Sequence, residues 1–245
     1  YLRAYSRLWK GLGELVFPSS LYCICCGKYT DSSRMYSLCD HCIRHMNFNM
    51  TNLKHISPTE KMSGIDHAAA AMGYGLYERQ LIFGLKYGGK TYIARHIADI
   101  LYDCLKKHLA ETGDCPWLNA DVIVPVPLHK YKLKERGFNQ AEKIGFYFGK
   151  RTGIRMQADV IIRTKNTTPQ RALSPREREA NMEKAFCINT GRREELKDKR
   201  ILLIDDIFTT GATASACADC LKENGAGSVC FMALASAKNK GHQLE

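Results

Sequence analysis

The sequence has 245 residues and a formal net charge of +11, with 45 % hydrophobic and 25 % charged residues. This composition is that of a globular protein and excludes a disordered or collagen-like chain. A chain of this length buries a substantial core, so we expect one main α/β domain with a smaller appendage. The excess positive charge attracts anions, which makes polyphosphates and nucleic acids the partner classes to consider.

The sequence contains no signal peptide with a long apolar core and no uncharged stretch of membrane-spanning length. We therefore expect no transmembrane segment and a cytoplasmic protein. In a reducing compartment the eleven cysteines are expected to be thiols or metal ligands rather than disulfides.

The first 17 residues predict an amphipathic helix. Apolar residues recur at helical spacing, while Arg3, Arg7 and Lys10 lie on the other side. A helix that docks on its own protein is the favoured interpretation. A basic helix that lies on a membrane or on a partner is the alternative.

Two C-x2-C pairs follow this helix. They are Cys23 with Cys26 and Cys39 with Cys42. Four thiolates so close in sequence predict a tetrahedral metal site, and Zn2+ suits a closed structural site of four sulfurs. A metal would also stabilise a segment that is too small and irregular to bury its own core.

Other cysteines and a histidine leave alternatives open. Cys25 can compete with a cysteine of the first pair, His41 can replace a sulfur, and the whole segment can be a loop of reduced thiols. A third pair, Cys217 and Cys220, falls within a predicted helix among alanines and has no second pair nearby. We expect that pair to pack in the core.

Residues 46–61 are polar and include a Ser-Pro step, so we interpret them as a linker. The expected organisation is a helix and zinc-binding subdomain over residues 1–60 and an α/β domain over residues 61–245. We expect the small subdomain to need its metal to fold, and the larger domain to bind its ligand without it.

Apolar runs and helical periodicity alternate through the larger domain, which predicts a parallel sheet flanked by helices. The predicted strands cover 65–74, 121–124, 160–163, 201–204 and 228–236. The predicted helices cover 78–86 and 91–107, a segment from about 139, and a segment after 213.

A basic segment follows the strand at 121–124. Two prolines end that strand, and a loop rich in cations leads into the helix that begins near Asn139. Cations beside a strand end and a helix N-terminus are suited to bind an anion, and a solvated basic loop is the alternative. The residues concerned are Lys130, Lys132, Lys134, Arg136 and Gly137.

The most informative stretch is the strand at 201–204 and the residues after it. Asp205 and Asp206 can accept hydrogen bonds from a vicinal diol or act beside a divalent cation. The Thr/Gly run that follows offers hydroxyls, a glycine and a helix N-terminus, which together favour a monophosphate. These residues are Thr209, Thr210, Gly211, Ala212 and Thr213. They predict a ribose 5-phosphate site, with an ordinary strand–turn–helix as the alternative.

Three strings carry a family resemblance. ILLIDDIFTTGAT at 201–213 resembles the phosphoribosyl pyrophosphate (PRPP) motif of type I phosphoribosyltransferases. VPVPLHKYKLKERGFNQA at 124–141 resembles the pyrophosphate-binding segment of the ComF branch of that superfamily. TKNTTPQRALSPREREANMEKAF at 164–186 resembles the ComF-type sequence at the position of the mobile hood. With the four-cysteine knuckle, the resemblance covers nearly the whole chain.

The resemblance implies a type I phosphoribosyltransferase fold and Mg2+-dependent transfer of ribose 5-phosphate from PRPP with release of pyrophosphate. That would be a glycosyltransferase activity linked to DNA uptake or nucleotide metabolism. Asp205 and Asp206 would hold the ribose, residues 209–213 the 5-phosphate, and Arg136 with its lysines the pyrophosphate.

The alternative is a non-catalytic PRPP or nucleotide sensor of the DNA-uptake machinery. Its basic surface, knuckle and exposed aromatic residues such as Phe138 would bind single-stranded DNA. Amidophosphoribosyltransferase activity is not expected, because the N-terminal half shows no glutamine-hydrolysing domain with a terminal catalytic cysteine.

Overall fold

A computed structural model describes residues 21–31, 33–48, 54–55, 62–164 and 185–237. The predicted N-terminal helix, most of the predicted linker and residues 165–184 of the predicted hood lie outside these ranges. The strands are β1 (Lys54–His55), β2 (His67–Gly73), β3 (Val122–Pro125), β4 (Arg155–Met156), β5 (Ile161–Arg163), β6 (Phe186–Ile188), β7 (Arg200–Phe208) and β8 (Ser228–Ser236). The α-helices are α1 (Asp40–His45), α2 (Leu76–Tyr87), α3 (Ile93–Thr112), α4 (Lys130–Arg136), α5 (Gln140–Thr152) and α6 (Ala212–Glu223). Short 3-10 helices cover Met35–Ser37 and Thr190–Leu196.

Six strands form the main sheet in the order β1-β2-β8-β7-β3-β4. All neighbours pair in parallel except β1, which runs antiparallel to β2. β5 and β6 form a separate antiparallel pair. The predicted α/β fold, a parallel sheet flanked by helices, is therefore confirmed.

β7 lies inside the sheet, between β8 and β3. Its apolar run is fully buried because both faces of the sheet are covered. Leu202 and Ile204 join the core that contains α3 and α5, whereas Ile201 and Leu203 join the core that contains α6. This alternation fixes the end of β7 between two packed layers.

The four-cysteine segment packs on the α3 side of the sheet. Ile24 and Leu38 are buried in the same core as α2 and α3. The Tyr36 hydroxyl donates a hydrogen bond to Asp103 Oδ2 on α3 at 2.8 Å. Within the described residues, the small segment and the sheet domain therefore share one apolar core.

The predicted basic loop is wrong, because residues 130–136 form the helix α4. Lysine, leucine, glutamate and arginine are good helix formers. The ring of His129 accepts a hydrogen bond from the Tyr131 amide at the N-terminus, and Gly137, at φ +80°, ends the helix. The helical spacing decides which cations share a face.

The predicted linker is also more structured than expected. Lys54 and His55 lie opposite Ala70 and Ala69 of β2, and Phe48 forms a bridge with Met72. β4 and the 3-10 helices were not predicted. Cys217 and Cys220 are buried in α6, as predicted. Among the described residues, no helix combines the length and the apolar character needed to cross a membrane.

Candidate functional site

A small pocket lies between the carboxyl end of β7 and the N-terminus of α6. Its volume is about 30 Å³, enough for one or two water-sized groups. Its lining residues are Asp205, Ile207, Phe208, Thr209, Gly211, Thr213, Ala214 and Phe231. The structure thus gathers four of the predicted ligand-binding residues, Asp205, Thr209, Gly211 and Thr213, around one pocket.

Gly211 shapes the floor of this pocket. Its φ is +91°, and a Cβ atom there would lie 3.0 Å from Phe208 Cζ and 3.3 Å from Met62 Cγ. Both the left-handed backbone and the close approach require glycine. Gly211 is also the N-cap residue of α6, and the Ala212 amide donates to Thr210 Oγ1 at 3.4 Å. The first turn of α6 therefore directs its dipole and backbone amides at the pocket.

The two adjacent acids of β7 occupy different environments, because successive strand residues point to opposite faces. Asp205 is half-buried and lines the pocket. Asp206 is only 2 % exposed. Its Oδ2 lies 2.5 Å from Lys86 Nζ, and its Oδ1 accepts from Gln140 Nε2 at 3.2 Å. Only Asp205 is therefore presented to a ligand.

The pKa values of the two acids shift in opposite directions. Burial, together with the neighbouring charge of Asp206, raises the pKa of Asp205 well above its usual range. Burial also acts to raise the pKa of Asp206, but the charge of Lys86 and the hydrogen bonds to that carboxylate outweigh it, and the pKa of Asp206 is lowered. Asp206 is the stable anion of the pair.

Cations from α4 lie near Lys86, the partner of Asp206. Burial, together with Arg163, Arg136 and Lys86, lowers the pKa of Lys132. The Arg136 guanidinium donates to Gln140 Oε1 and lies 5.2 Å from the ring centroid of Tyr87. These four cations outnumber the acids that interact with them, Asp205, Asp206 and Glu135, and an excess of positive charge suits a polyphosphate.

Not every predicted cation belongs to this cluster. Lys130 and Lys134 are exposed, and Lys130 Nζ lies 5.6 Å from the ring centroid of Tyr131. Lys132 and Arg136 are four residues apart on a helix and share a face. Gly137 ends α4 and has open space around its Cα.

Sequence reasoning did not single out Lys86, Tyr87, Gln140 or Arg163. Lys86 and Tyr87 come at the end of a predicted helix, immediately before Gly88 and Gly89. Neither the cysteine pairs nor the three quoted strings include this position. Gln140 falls within the quoted basic string. The ion pair between Lys86 and Asp206 depends on tertiary packing, so no local sequence pattern predicts it.

The prediction of Phe138 as an exposed aromatic residue is wrong. Its ring is partly buried against the core that contains α3 and α5. Tyr131, 61 % exposed, lies beside Lys130, and Tyr87, 65 % exposed, lies beside Arg136.

The four predicted zinc ligands form one cluster. The Sγ atoms of Cys23, Cys26, Cys39 and Cys42 all lie within 4.8 Å of one another, and those of Cys26 and Cys39 are 3.8 Å apart. Four sulfurs around zinc at about 2.3 Å are about 3.8 Å apart in a tetrahedron. The donor set and its spacing therefore fit a metal such as zinc with all four positions taken by protein.

The two alternative ligands are not among the four clustered ligand atoms, and both have other partners. The Cys25 thiol donates to Gln80 Oε1 at 3.3 Å, and burial raises the pKa of Cys25 to about 12. His41 Nε2 lies 2.9 Å from the hydroxyl of Tyr77. Both side chains contact α2 and leave the metal position to the four cysteines.

No protein-family model matches the chain. Competence protein F of Haemophilus influenzae is 26 % identical over 233 residues, which cover 92 % of this chain and 94 % of that protein. DNA utilization protein YhgH of Escherichia coli K12 is 29 % identical over 150 residues, and the match spans 63 % of that protein's length. Competence protein ComFC of Bacillus subtilis is 35 % identical over 107 residues, which cover 42 % of this chain and 39 % of that protein.

The similarity to competence protein F extends through both the cysteine cluster and the sheet domain, since it covers nearly all of each chain. The chain is therefore a homologue of the ComF-type competence proteins, with a four-cysteine knuckle that fits zinc.

Proposed function

We propose that PRPP binds across the carboxyl end of β7, with its 5-phosphate at the pocket beside α6, and that the protein acts in DNA uptake or DNA utilisation. The observation that carries the proposal is that half-buried Asp205 lines one pocket with residues of the Thr/Gly run at the N-terminus of α6. Lys132 and Arg136 interact with Lys86, which pairs with Asp206, so they add positive charge near the same end of β7. The relatives named for competence and DNA utilization support the biological part of the proposal.

In this proposal the 5-phosphate binds at residues 209–213, where backbone amides and threonine hydroxyls can donate hydrogen bonds. Asp205 accepts hydrogen bonds from the ribose hydroxyls. The pyrophosphate group binds to Lys132 and Arg136. Asp206 holds Lys86 rather than the ligand.

The reaction proposed for this site is phosphoribosyl transfer. The bond from the anomeric carbon to pyrophosphate breaks, a bond to the acceptor nucleophile forms, and the acceptor loses a proton. Positive charge develops on the ribose as pyrophosphate leaves, so the site must stabilise the departing anion and exclude water, and it needs no protein nucleophile.

A magnesium ion fits this site through one carboxylate. Mg2+ prefers oxygen ligands and usually binds through one or two carboxylates together with substrate phosphates. Asp205 offers such an oxygen, whereas the Oδ2 atom of Asp206 already pairs with Lys86. When bound with PRPP, the ion would neutralise phosphate charge.

We also retain the predicted division into a metal subdomain over residues 1–60 and a ligand-binding domain over residues 61–245. A reducing cytoplasm suits the chain, because its eleven cysteines all lie in the described residues and none is paired in a disulfide.

The experiment that tests transferase activity is a measurement of pyrophosphate release from PRPP and Mg2+, screened over nucleobases, amines and DNA. Release that requires an acceptor and is lost in Asp205→Asn supports the enzyme. Saturable PRPP binding without pyrophosphate release with any acceptor favours a sensor.

Exposed aromatic residues beside lysines favour single-stranded DNA as a second ligand. Tyr131 is exposed next to Lys130, and nucleic-acid bases stack on such rings while lysines contact phosphates. Affinity for a single strand should fall steeply with salt, because phosphate contacts release counterions. Absence of binding at low salt would remove this second function.

A further inference from the structure

The knuckle contacts the first half of α2 through residues that lie inside its two C-x2-C turns. Cys25 lies between Cys23 and Cys26, and its thiol donates to Gln80 Oε1. His41 lies between Cys39 and Cys42, and its ring contacts the Tyr77 hydroxyl. A metal that fixes the two turns therefore fixes the two side chains that hold α2.

The segment after α1 reaches the same part of α2. The Asn47 amide donates to Glu78 Oε1 at 2.6 Å, and the Gly75 amide donates to Glu78 Oε2 at 2.9 Å. Glu78 is fully buried. Its carboxylate joins the end of the knuckle to the beginning of α2 by charge-assisted hydrogen bonds.

The last turn of α2 reaches the candidate ligand site. Lys86 pairs with Asp206, and the ring of Tyr87 lies against Arg136. Tyr77 and Lys86 are about 13 Å apart along the helix axis, at about 1.5 Å per residue. α2 thus joins the knuckle to the site as one helix.

The helix between these two ends is packed closely against the core. Leu81, Ile82 and Leu85 are almost fully buried, in the core that also contains Ile24 and Leu38 of the knuckle. Close-packed interiors transmit displacement rather than absorb it. Loosening the knuckle end of α2 should therefore move or free its last turn.

Lys86 matters to the site because it neutralises a buried carboxylate next to the ligand-binding acid. Without Lys86, the charge of Asp206 would be uncompensated beside Asp205. It would then repel ligand phosphates or draw Arg136 and Lys132 away from them.

We propose that Lys86 is a positioning residue of the ligand site, and that metal binding by the four-cysteine knuckle sets the ligand affinity of that site by holding α2 in place. The inference rests on the proposed PRPP function and replaces the expectation that the two parts act independently. It predicts that metal loss lowers PRPP affinity through Lys86.

The test uses the full chain, with PRPP affinity measured by calorimetry before and after chelation of the metal. Chelation should weaken PRPP binding by about tenfold in the unmodified protein. Lys86→Met should weaken binding of the metal-loaded form by a similar factor, and chelation should then add less than twofold. Lys86→Arg keeps the charge and should restore most of the affinity. Lys106→Met, at an exposed lysine of α3, is the matched control and should leave binding unchanged.

A milder variant separates coupling from unfolding of the knuckle. Tyr77→Phe removes only the hydroxyl that contacts His41. It should lower PRPP affinity about two- to threefold while metal content stays at one per chain. Unchanged affinity in both Tyr77→Phe and the chelated protein would overturn the proposal. So would an equal loss on chelation in Lys86→Met and in the unmodified protein.

Hydrogen exchange tests the coupling between the knuckle and α2 without the ligand. Backbone amides of residues 81–87 should exchange faster after chelation, whereas amides of β3 should not change. If the unmodified protein does not bind PRPP, the proposed function fails, and the exchange result alone decides whether the knuckle holds α2. Unchanged exchange at 81–87 would contradict that coupling.

Discussion

Lys86 Nζ and Asp206 Oδ2 lie 2.5 Å apart, in an ion pair between the last turn of α2 and the end of β7. The pair gives the two adjacent acids of β7 separate roles. Asp206 is buried and holds a lysine, while Asp205 faces the pocket. The predictions for Asp205 and Asp206 follow from this separation.

The two acids should respond oppositely to substitution. Asp206→Asn leaves the charge of Lys86 without its partner. Breaking a fully buried ion pair costs about 3–5 kcal/mol, and Lys86 is 19 % exposed, so this change should lower the free energy of unfolding by roughly 2–3 kcal/mol. Asp205→Asn removes a carboxylate that repels Asp206, so its thermal midpoint should stay the same or rise. Thermal unfolding at neutral pH compares them, and equal destabilisation by both changes would contradict the assignment.

Ionisation of Asp205 should make the free energy of unfolding depend on pH. Its folded-state pKa is raised, so the folded state binds its proton more readily than the unfolded state does. Ionised Asp205 therefore lowers stability at neutral pH, and this penalty should disappear as pH falls toward the unfolded value of about 4. Denaturant unfolding should show the unmodified protein gaining stability relative to Asp205→Asn between pH 7 and about 4. A difference that does not change with pH would be inconsistent with the shift.

Gly211 should be required for the ligand as well as for the backbone. A Cβ atom there would contact Phe208 and Met62, and the left-handed backbone costs about 1–2 kcal/mol for other residues. Gly113→Ala is the matched control, because Gly113 has φ +76° and open space around it at the end of α3. Both changes should lower stability, but only Gly211→Ala should weaken PRPP binding, by at least tenfold in calorimetry. Equal PRPP affinity in the two variants would show that the pocket lies elsewhere.

The knuckle should bind one zinc per chain through its four cysteines. Cys39→Ser removes one of them and should lose the metal. Cys25→Ser should retain it, because Cys25 is not one of the four clustered sulfurs and its thiol donates to Gln80. Metal analysis of the purified variants measures both outcomes. Loss of metal in Cys25→Ser, or its retention in Cys39→Ser, would reassign the ligand set.

The two faces of α4 should have different ligands. Lys132→Ala removes a half-buried cation near Arg136 and should weaken PRPP binding several-fold. Lys130→Ala with Lys134→Ala removes exposed charges, so it should leave PRPP affinity unchanged and reduce the salt dependence of single-stranded DNA binding. Calorimetry and a salt titration of DNA binding separate them. If the exposed-lysine variant loses as much PRPP affinity as Lys132→Ala does, the two faces of α4 do not bind different ligands.

The sequence was sufficient for the features whose chemistry is local. The apolar run of β7 predicted a strand of a parallel sheet flanked by helices, and the two C-x2-C pairs predicted a cluster of four sulfurs. Gly211 was predicted as part of a monophosphate-binding run, and the structure adds its positive φ and its close neighbours. In these cases the pattern and its physical cause lie within a few residues of each other.

Long-range relationships could not be predicted in the same way. Nothing near Lys86 in the sequence indicates a partner on β7, and equal roles for Asp205 and Asp206 were expected because they are adjacent. Their different burial follows from the alternation of the strand between two packed layers. The helical form of residues 130–136 was missed because the cations were interpreted as a loop, and it is this helix that separates Lys132 from Lys130.

The decisive measurement is a calorimetric titration of the metal-loaded full chain with PRPP and Mg2+, beside Asp205→Asn under the same conditions. We predict saturable binding of one PRPP per chain to the unmodified protein and loss of that binding in Asp205→Asn, with both proteins folded by circular dichroism. Absence of PRPP binding in the unmodified protein, or the same affinity in both, would contradict the assignment of this pocket.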